Sequence, residues 1–180
     1  MGTLSTAAWV THDLAMAASI GGNLFGKVGL EPAVSEISSA SERGRVLDHA
    51  WGSYSWLSGG SLLLAAGTWL AGRTMLSGFE VGPHARRLTL VKDVLMAGFF
   101  VTGVGSIVVG RSIGAGKGGS VPLDRNATPY EPAERTKKTA VAALSTANLL
   151  FGIGVAGITA VLAMKSGRST TWSVFSRFLP

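Results

Sequence analysis

The sequence predicts an all-α polytopic membrane protein: a compact bundle of four transmembrane helices with an amphipathic C-terminal helix at the membrane interface. Two observations predict this class. The 180 residues are 47% hydrophobic and only 14% charged, and the mean hydropathy is +0.36. Four apolar stretches of membrane length alternate with polar segments that hold nearly all the charge, unlike the amphipathic helices of soluble proteins. The chain lacks cysteine, which excludes disulfides, Cys-ligated metals and covalent c-type haem.

The first apolar stretch, at about 6–27, has the length of a transmembrane helix. About 20 residues at ~1.5 Å per residue cover the ~30 Å hydrocarbon layer. A cleaved signal peptide carries Lys or Arg before its apolar run, whereas residues 1–8 contain neither. We therefore expect this helix in the mature protein. It carries His12 and Asp13. Ionisable groups at that depth are costly, so they indicate either a functional site or a specific interhelical contact.

Three further helices complete the predicted transmembrane domain, which covers residues 1–165; they are expected at about 49–71, 88–111 and 139–164. The second has aromatic residues at both ends, as interfacial belts require: Trp51, Tyr54, Trp56 and Trp69. Small residues recur four positions apart and permit close helix approach: Gly22 and Gly26, Ser106 and Gly110, Gly152 and Ala156. This spacing predicts a compact bundle rather than a wide pore.

Two polar segments flank these helices. Glu31-Pro32 should end the first helix and allow another to begin, because proline lacks an N–H and restricts the residue before it. Residues 33–48 then form either a surface helix or a long lead-in to the second span. The tail, 166–180, places Trp172, Phe175 and Phe178 on one helical face beside basic residues, a pattern typical of helices in the headgroup layer. A disordered tail is the alternative.

The best candidate site is a polar layer at the membrane face where the first and third helices begin. An up-and-down topology places His12, Asp13, Lys92 and Asp93 at one depth. The alternative to a functional role is structural: Lys92 extends to the interface and each carboxylate pairs with a local group.

Histidine placement argues against haem b and against a metal site. His12 and Asp13 are adjacent, so their side chains diverge by about 100° on a helix and any partner must come from elsewhere. His49 begins the second helix at the opposite face, and His84 is expected in a loop beside Pro83. No pair of histidines therefore faces across the bundle, and the identity of any cofactor stays open.

A secondary group of polar residues is expected toward the opposite membrane face; it comprises Asn23, Lys27, Asp48, His49 and Arg111, with Asn148 deeper in the fourth helix. Charges at loop edges are usually solvated. Asn148 is more informative because a buried amide needs hydrogen-bond partners, although one interhelical hydrogen bond would satisfy it.

The formal net charge of +6 and the pI near 10.2 come from Lys and Arg residues that flank the helices. In a soluble protein such charge would favour nucleic-acid binding. Here it favours contact with anionic lipid headgroups, so the expected partners are the bilayer and a second membrane subunit or another copy of this chain. The compact second loop and the basic tail outweigh the longest loop in the positive-inside rule, which predicts a cell (inner) membrane location with both termini cytoplasmic.

The layout of the chain also suggests a family. The first helix ends in Leu30-Glu31-Pro32-Ala33-Val34, a polar amphipathic stretch follows, and Asp48-His49-Ala50-Trp51 opens the second of four spans. This layout resembles the small four-helix anthrone-oxygenase-like membrane proteins over most of the chain. The resemblance implies a cofactorless oxygenation of a lipophilic aromatic compound. It assigns no catalytic position.

The sequence thus favours an accessory membrane protein whose polar layer specifies packing or binds a lipid or partner subunit. A membrane enzyme acting on a lipophilic substrate is the second interpretation, with His12 or Asp13 as base and Lys92 or Asn148 as polar contact. A transporter subunit is the third. An enzyme needs an apolar cavity that reaches the polar layer, whereas a packing protein needs that layer closed.

Overall fold

The computed structural model describes residues 3–75, 83–114 and 132–166. Every regular element in these ranges is helical, which confirms the all-α prediction. Four long helices are present, and two short helical elements lie between the first and the second of them. In chain order the elements are α1 (Thr3–Phe25), a π-helical turn (Gly26–Leu30), α2 (Glu31–Ser35), α3 (Ala40–Met75), α4 (Pro83–Gly114) and α5 (Pro132–Ser166).

The long helices extend beyond the predicted spans. Helix α3 has 36 residues, and at 1.5 Å per residue it is about 54 Å long, well over the ~30 Å of a hydrocarbon layer. Residues 40–48 therefore form a helical lead-in to the predicted second span. Hydropathy marks only the apolar part of a helix, whereas backbone hydrogen bonding continues through polar residues such as Glu and Arg with good helix propensity.

Proline placement explains two differences from the expected loops. Pro32 lies in the first turn of α2, where a missing N–H is tolerated, so the chain remains helical until Ser35. Pro83 begins α4 in the same way. Residue 84, expected in a loop, consequently belongs to the first turn of this helix. Residues 167–180, which make up nearly all of the predicted interfacial helix at 166–180, lie outside the described residues.

The four long helices form an antiparallel bundle. Helix α1 packs against α3 and α5, and α4 packs against the same two helices, so α1 and α4 occupy opposite corners. We call the end where α1 and α4 begin the first face, and the end where they finish the second face. The described helices thus agree with a four-helix bundle in helix number and in up-and-down order.

The interior combines a small apolar core with close contacts at glycine. Phe99, Leu62, Met96 and Val155 are fully buried at its centre. A Cβ at Gly152 would lie 2.8 Å from Ile20, and Cβ atoms at Gly22 and Gly26 would overlap the rings of Tyr54 and Trp51. These contacts agree with the predicted close approach. No described atom lies within 4 Å of a Cβ placed at Gly110, so that glycine does not serve the same purpose.

The outer surface is strongly apolar. Two helical segments, Arg87–Ile113 and Arg135–Leu162, are long and apolar enough to cross a membrane by length and composition. Only 17% of each apolar window is buried inside the protein, whereas the core helix of a soluble protein is mostly buried. Helices α1 and α3 fall short of the same test, because hydroxyl, glycine and ionisable residues dilute their apolar character.

Candidate functional site: the polar layer and the amide cluster

His12 lies inside the bundle, with only 4% of its surface exposed. Its Nδ1 is 3.1 Å from the Ala65 carbonyl oxygen and 3.1 Å from the Thr68 hydroxyl oxygen. A carbonyl oxygen only accepts hydrogen bonds, so Nδ1 carries the proton and donates it to helix α3. The Thr68 hydroxyl donates in turn to Leu64, at 2.6 Å. These contacts fix the orientation and the tautomer of the neutral imidazole.

The other ring nitrogen of His12 is the unusual atom of this layer. Nε2 is buried and has no hydrogen-bond partner among the described residues. In the tautomer set by Ala65, this nitrogen carries a lone pair and acts as an acceptor. A buried polar atom without a partner costs about 1–3 kcal/mol. The imidazole is therefore held by one nitrogen and offers the other to a donor.

Lys92 is buried beside this histidine, with 6% of its surface exposed. Its Nζ lies 5.0 Å from the ring centroid of Trp9, a cation–π contact. The Trp9 ring also meets the His12 ring edge-on, with 6.3 Å between centroids. Trp9 is half-exposed at the bundle surface. One aromatic side chain thus touches both buried basic groups of the layer.

The two predicted carboxylates, Asp13 and Asp93, both interact electrostatically with Lys92. Asp93 is half-buried and accepts a hydrogen bond from Trp69 Nε1 at 3.2 Å. Asp13 is exposed, whereas its neighbour His12 is buried, as the divergence of adjacent side chains on a helix predicts. The four predicted residues therefore lie near one another, but only His12 and Lys92 point into the interior.

A second polar cluster lies deeper in the bundle and joins three helices. Asn148 on α5 donates from Nδ2 to the Phe99 carbonyl of α4, at 2.7 Å. Asn23 on α1 donates to the Ser145 carbonyl at 2.8 Å and to Asn148 Oδ1 at 3.4 Å. We call this the amide cluster. Asn23 was expected among edge charges at the second face, yet it is buried in this interhelical network.

The remaining residues expected near the second face do not form one site. His49 is exposed on α3, far along the helix from Ala65, the residue whose carbonyl contacts His12. Lys27 donates to Thr146 at 3.2 Å, and Arg111 lies over Trp56. Asp48 is partly buried just before the predicted second span, and this burial raises the pKa of its carboxyl group. No group of three or more metal-binding side chains occurs in the ranges described by the structure.

One face of α1 carries a row of polar atoms without partners. His12 Nε2, Ser19 Oγ and Asn23 Oδ1 are all buried and unpaired within the described part of the chain. Their spacing of seven and four residues places them on one side of the helix. Sequence reasoning found His12 and Asn23 by chemistry, but it missed Ser19 and Trp9. Trp9, three residues before His12, could have been recognised from this helical spacing.

Comparisons with protein-family models, with curated proteins and with solved structures give no match to this chain. Its function is therefore inferred from its own residues and their contacts.

Proposed function

We propose that the chain is a small integral membrane protein in which all four long helices span the bilayer, and that its polar layer binds the polar end of a lipid or of a partner subunit. The apolar outer surface supports the membrane placement. Each long helix has large hydrophobic side chains that are about two-thirds exposed, such as Leu14, Leu63, Val101 and Leu150. Contiguous exposure on this scale in water would cause aggregation, whereas lipid covers it without cost.

The arrangement of polar groups supports the same placement for α1 and α3. These helices fail a hydropathy test because they carry His12, Ser19, Ser61 and similar residues, but these residues are buried within the bundle. Polar side chains that face the interior while apolar ones face outward are typical of helices in lipid. The hydropathy deficit thus comes partly from the lining of the bundle, and exposed Asp13 of α1 adds to it at the surface.

The unpartnered Nε2 of His12 is the observation that carries the binding proposal. It needs a hydrogen-bond donor, and a hydroxyl or amide group of a lipophilic molecule would supply one. Lys92 would donate to an oxygen of the same group. Trp9, which is half-exposed and touches both side chains, lies where a ligand from the membrane would enter.

Mass spectrometry of the protein purified in mild detergent tests this proposal. The wild-type protein should retain a lipophilic molecule or a partner subunit that the His12→Leu variant loses. His49→Leu, which changes an exposed histidine at the second face, is the matched control and should retain it. If nothing is retained by the wild type and His12→Leu raises its melting temperature, the histidine is only a packing defect and the proposal is wrong.

A membrane enzyme is the second candidate, and the same histidine favours it. A general base needs a free lone pair and a second group that fixes the ring, which the Ala65 carbonyl provides. The resemblance to anthrone-oxygenase-like proteins implies oxygenation of a lipophilic aromatic compound. Oxygen uptake with such a substrate in proteoliposomes, abolished in His12→Gln and kept in His49→Gln, would support this candidate; no uptake with the wild type would exclude it for the compounds tried.

A further inference from the structure

A contact at the second face joins the end of α4 to α3. The guanidinium carbon of Arg111 lies 5.0 Å from the ring centroid of Trp56, and Arg111 Nη2 donates to Ser55 Oγ at 3.4 Å. We call Ser55, Trp56 and Arg111 the Trp56–Arg111 site. Arg111 is in the last turn of α4, where the helix dipole favours a cation. These contacts hold the guanidinium over the ring at the surface of the bundle.

Arg111 keeps hydrogen-bonding capacity at this site. A guanidinium has five N–H donors in a planar fork, and the structure assigns one of them to Ser55. The cation–π contact with Trp56 takes up none of these donors as a hydrogen bond to an acceptor atom. Arg111 is exposed, so the remaining donors are available to a phosphate, which arginine binds in bidentate geometry. Lys137 of α5 donates to the carbonyl of Ser112, the residue after Arg111, and so adds a second positive charge near the site.

Trp56 presents an exposed aromatic ring, and the helix surface before and after it along α3 is open. It is 76% exposed, the highest value for a large hydrophobic side chain in the part of the chain that the structure describes. Gly52 and Gly60, one turn before and after it, have no described atom within 4 Å of an added Cβ. Residues four apart lie on the same side of a helix, so the ring stands between two shallow recesses.

Apolar side chains continue from this site toward the centre of the bundle. Val108 and Val104 lie three and seven residues before Arg111, and Leu63 lies seven residues after Trp56; all three are exposed. By helical spacing they are on the same sides of α4 and α3 as the two site residues. Seven residues correspond to about 10 Å along a helix, so these side chains reach well below a headgroup.

We propose that the Trp56–Arg111 site binds an anionic phospholipid, with its phosphate at Arg111 and an acyl chain along Leu63, Val104 and Val108. This inference rests on the proposed membrane placement. The polarity gradient matches a phospholipid: cations at the helix ends, an aromatic ring at the interface and apolar side chains below. A headgroup without an amine is preferred, because it brings no further positive charge to Arg111 and Lys137.

Native mass spectrometry of protein reconstituted with equal amounts of phosphatidylglycerol and phosphatidylcholine tests the proposal. The wild type should retain phosphatidylglycerol preferentially, and Arg111→Gln should reduce that preference about tenfold, as expected for a lost charge-assisted hydrogen bond. Arg45→Gln is the matched control, since Arg45 is an exposed arginine of α3 outside the site. Trp56→Leu should also reduce the preference, because it removes the ring that holds the guanidinium.

Two further measurements separate lipid binding at this site from binding of free phosphate and from a failure of membrane insertion. Glycerol phosphate at millimolar concentration should not compete, and competition would show that the site takes free phosphate instead. Equal retention of both lipids by the wild type, or an equal loss in Arg45→Gln and Arg111→Gln, would overturn the proposal. Flotation of every variant with phosphatidylcholine liposomes reports membrane insertion separately, so a failure of the proposed function is recognised independently of lipid preference.

Discussion

Lys92 is the residue on which the polar layer depends. Its ammonium group is buried, lies over Trp9 and interacts with the carboxylates of Asp13 and Asp93. A buried cation is expensive unless opposite charge or an aromatic face compensates it. Both carboxylates and one ring therefore stabilise a single group, and a change at one of them alters what the others contribute.

This shared partner predicts that Asp13→Asn and Asp93→Asn will not be additive. The double variant should differ from the sum of the single variants by at least ~0.5 kcal/mol in the free energy of unfolding, because both substitutions act through Lys92. A double-mutant cycle in detergent measures this term. Clean additivity with no effect of either substitution would mean that the carboxylates are independent surface groups and that the layer is not a site.

Asp48, which lies outside the predicted transmembrane segments, should make stability depend on pH. Burial raises the pKa of its carboxyl group above the unfolded value, so its contribution to stability is fully present below about pH 4 and is lost as the pH rises through the folded pKa. Asp48→Asn should therefore raise the melting temperature at pH 7, and the gain should shrink toward pH 4. Glu36→Gln, at an exposed carboxylate, is the control and should show no such gain.

For single residues, the sequence predicted which side chains are unusual better than it predicted what those side chains contact. His12 and Lys92 were recognisable as costly groups in an apolar segment, and both are buried. Their partners were not predictable, because Ala65 and Thr68 come to lie next to His12, and Trp9 next to Lys92, only through the relative rotation of α1, α3 and α4. Asn23 was misplaced for the same reason: its distance from the helix end suggested an edge, whereas its side faces Asn148.

The contact between α1 and α3 depends on glycine at two positions of one helix face. The ring of Tyr54 occupies the space that a side chain at Gly22 would need, and its hydroxyl donates to the Ser19 carbonyl at 2.8 Å. The indole of Trp51 fills the corresponding space at Gly26. If α1 and α3 lie in lipid as proposed, where helices have no hydrophobic drive to associate, this close packing is a main source of their association.

Neighbouring glycines provide a matched test of this packing. Gly22→Ala should destabilise the bundle by about 1–3 kcal/mol, because the methyl group displaces the Tyr54 ring. Gly21→Ala adds the same atom where no described atom lies within 4 Å, and alanine favours helix over glycine by about 1 kcal/mol, so it should be neutral or stabilising. Thermal unfolding in detergent compares them. Equal effects of the two substitutions would contradict the proposed role of Gly22.

Element boundaries show what hydropathy can predict. Each long helix contains the apolar stretch that the sequence marks, but α3, α4 and α5 begin earlier and end later than the predicted spans, whereas α1 begins earlier and gives way to the π-helical turn at Gly26. Residues 40–48 continue α3 because nothing in Ser41 to Asp48 breaks a helix, whereas the clear interruption falls at 36–39. The break follows α2 rather than Pro32, since proline restricts the residue before it but is tolerated in a first turn.

Orientation in the membrane is a property of the whole molecule, and it follows from where the basic residues fall in the antiparallel order. Seven Lys and Arg residues belong to the first-face side of the predicted topology, namely Arg73, Arg86, Arg87, Lys92, Lys165, Arg168 and Arg177. Nine belong to the second-face side, namely Lys27, Arg43, Arg45, Arg111, Lys117, Arg125, Arg135, Lys137 and Lys138. The longest connection holds several of the latter group. Because long loops count less in the positive-inside rule, we expect the first face and both termini in the cytoplasm.

The absence of cysteine makes this orientation directly measurable. A cysteine at Ser120, in the connection between α4 and α5, should react with a membrane-impermeant thiol reagent added to intact cells. A cysteine at Ser77, in the connection between α3 and α4, should react only after the cells are opened. The reverse pattern would invert the orientation. Labelling of both positions in intact cells would contradict four spans, because α4 alone lies between these two connections and one crossing must place them on opposite sides of the membrane.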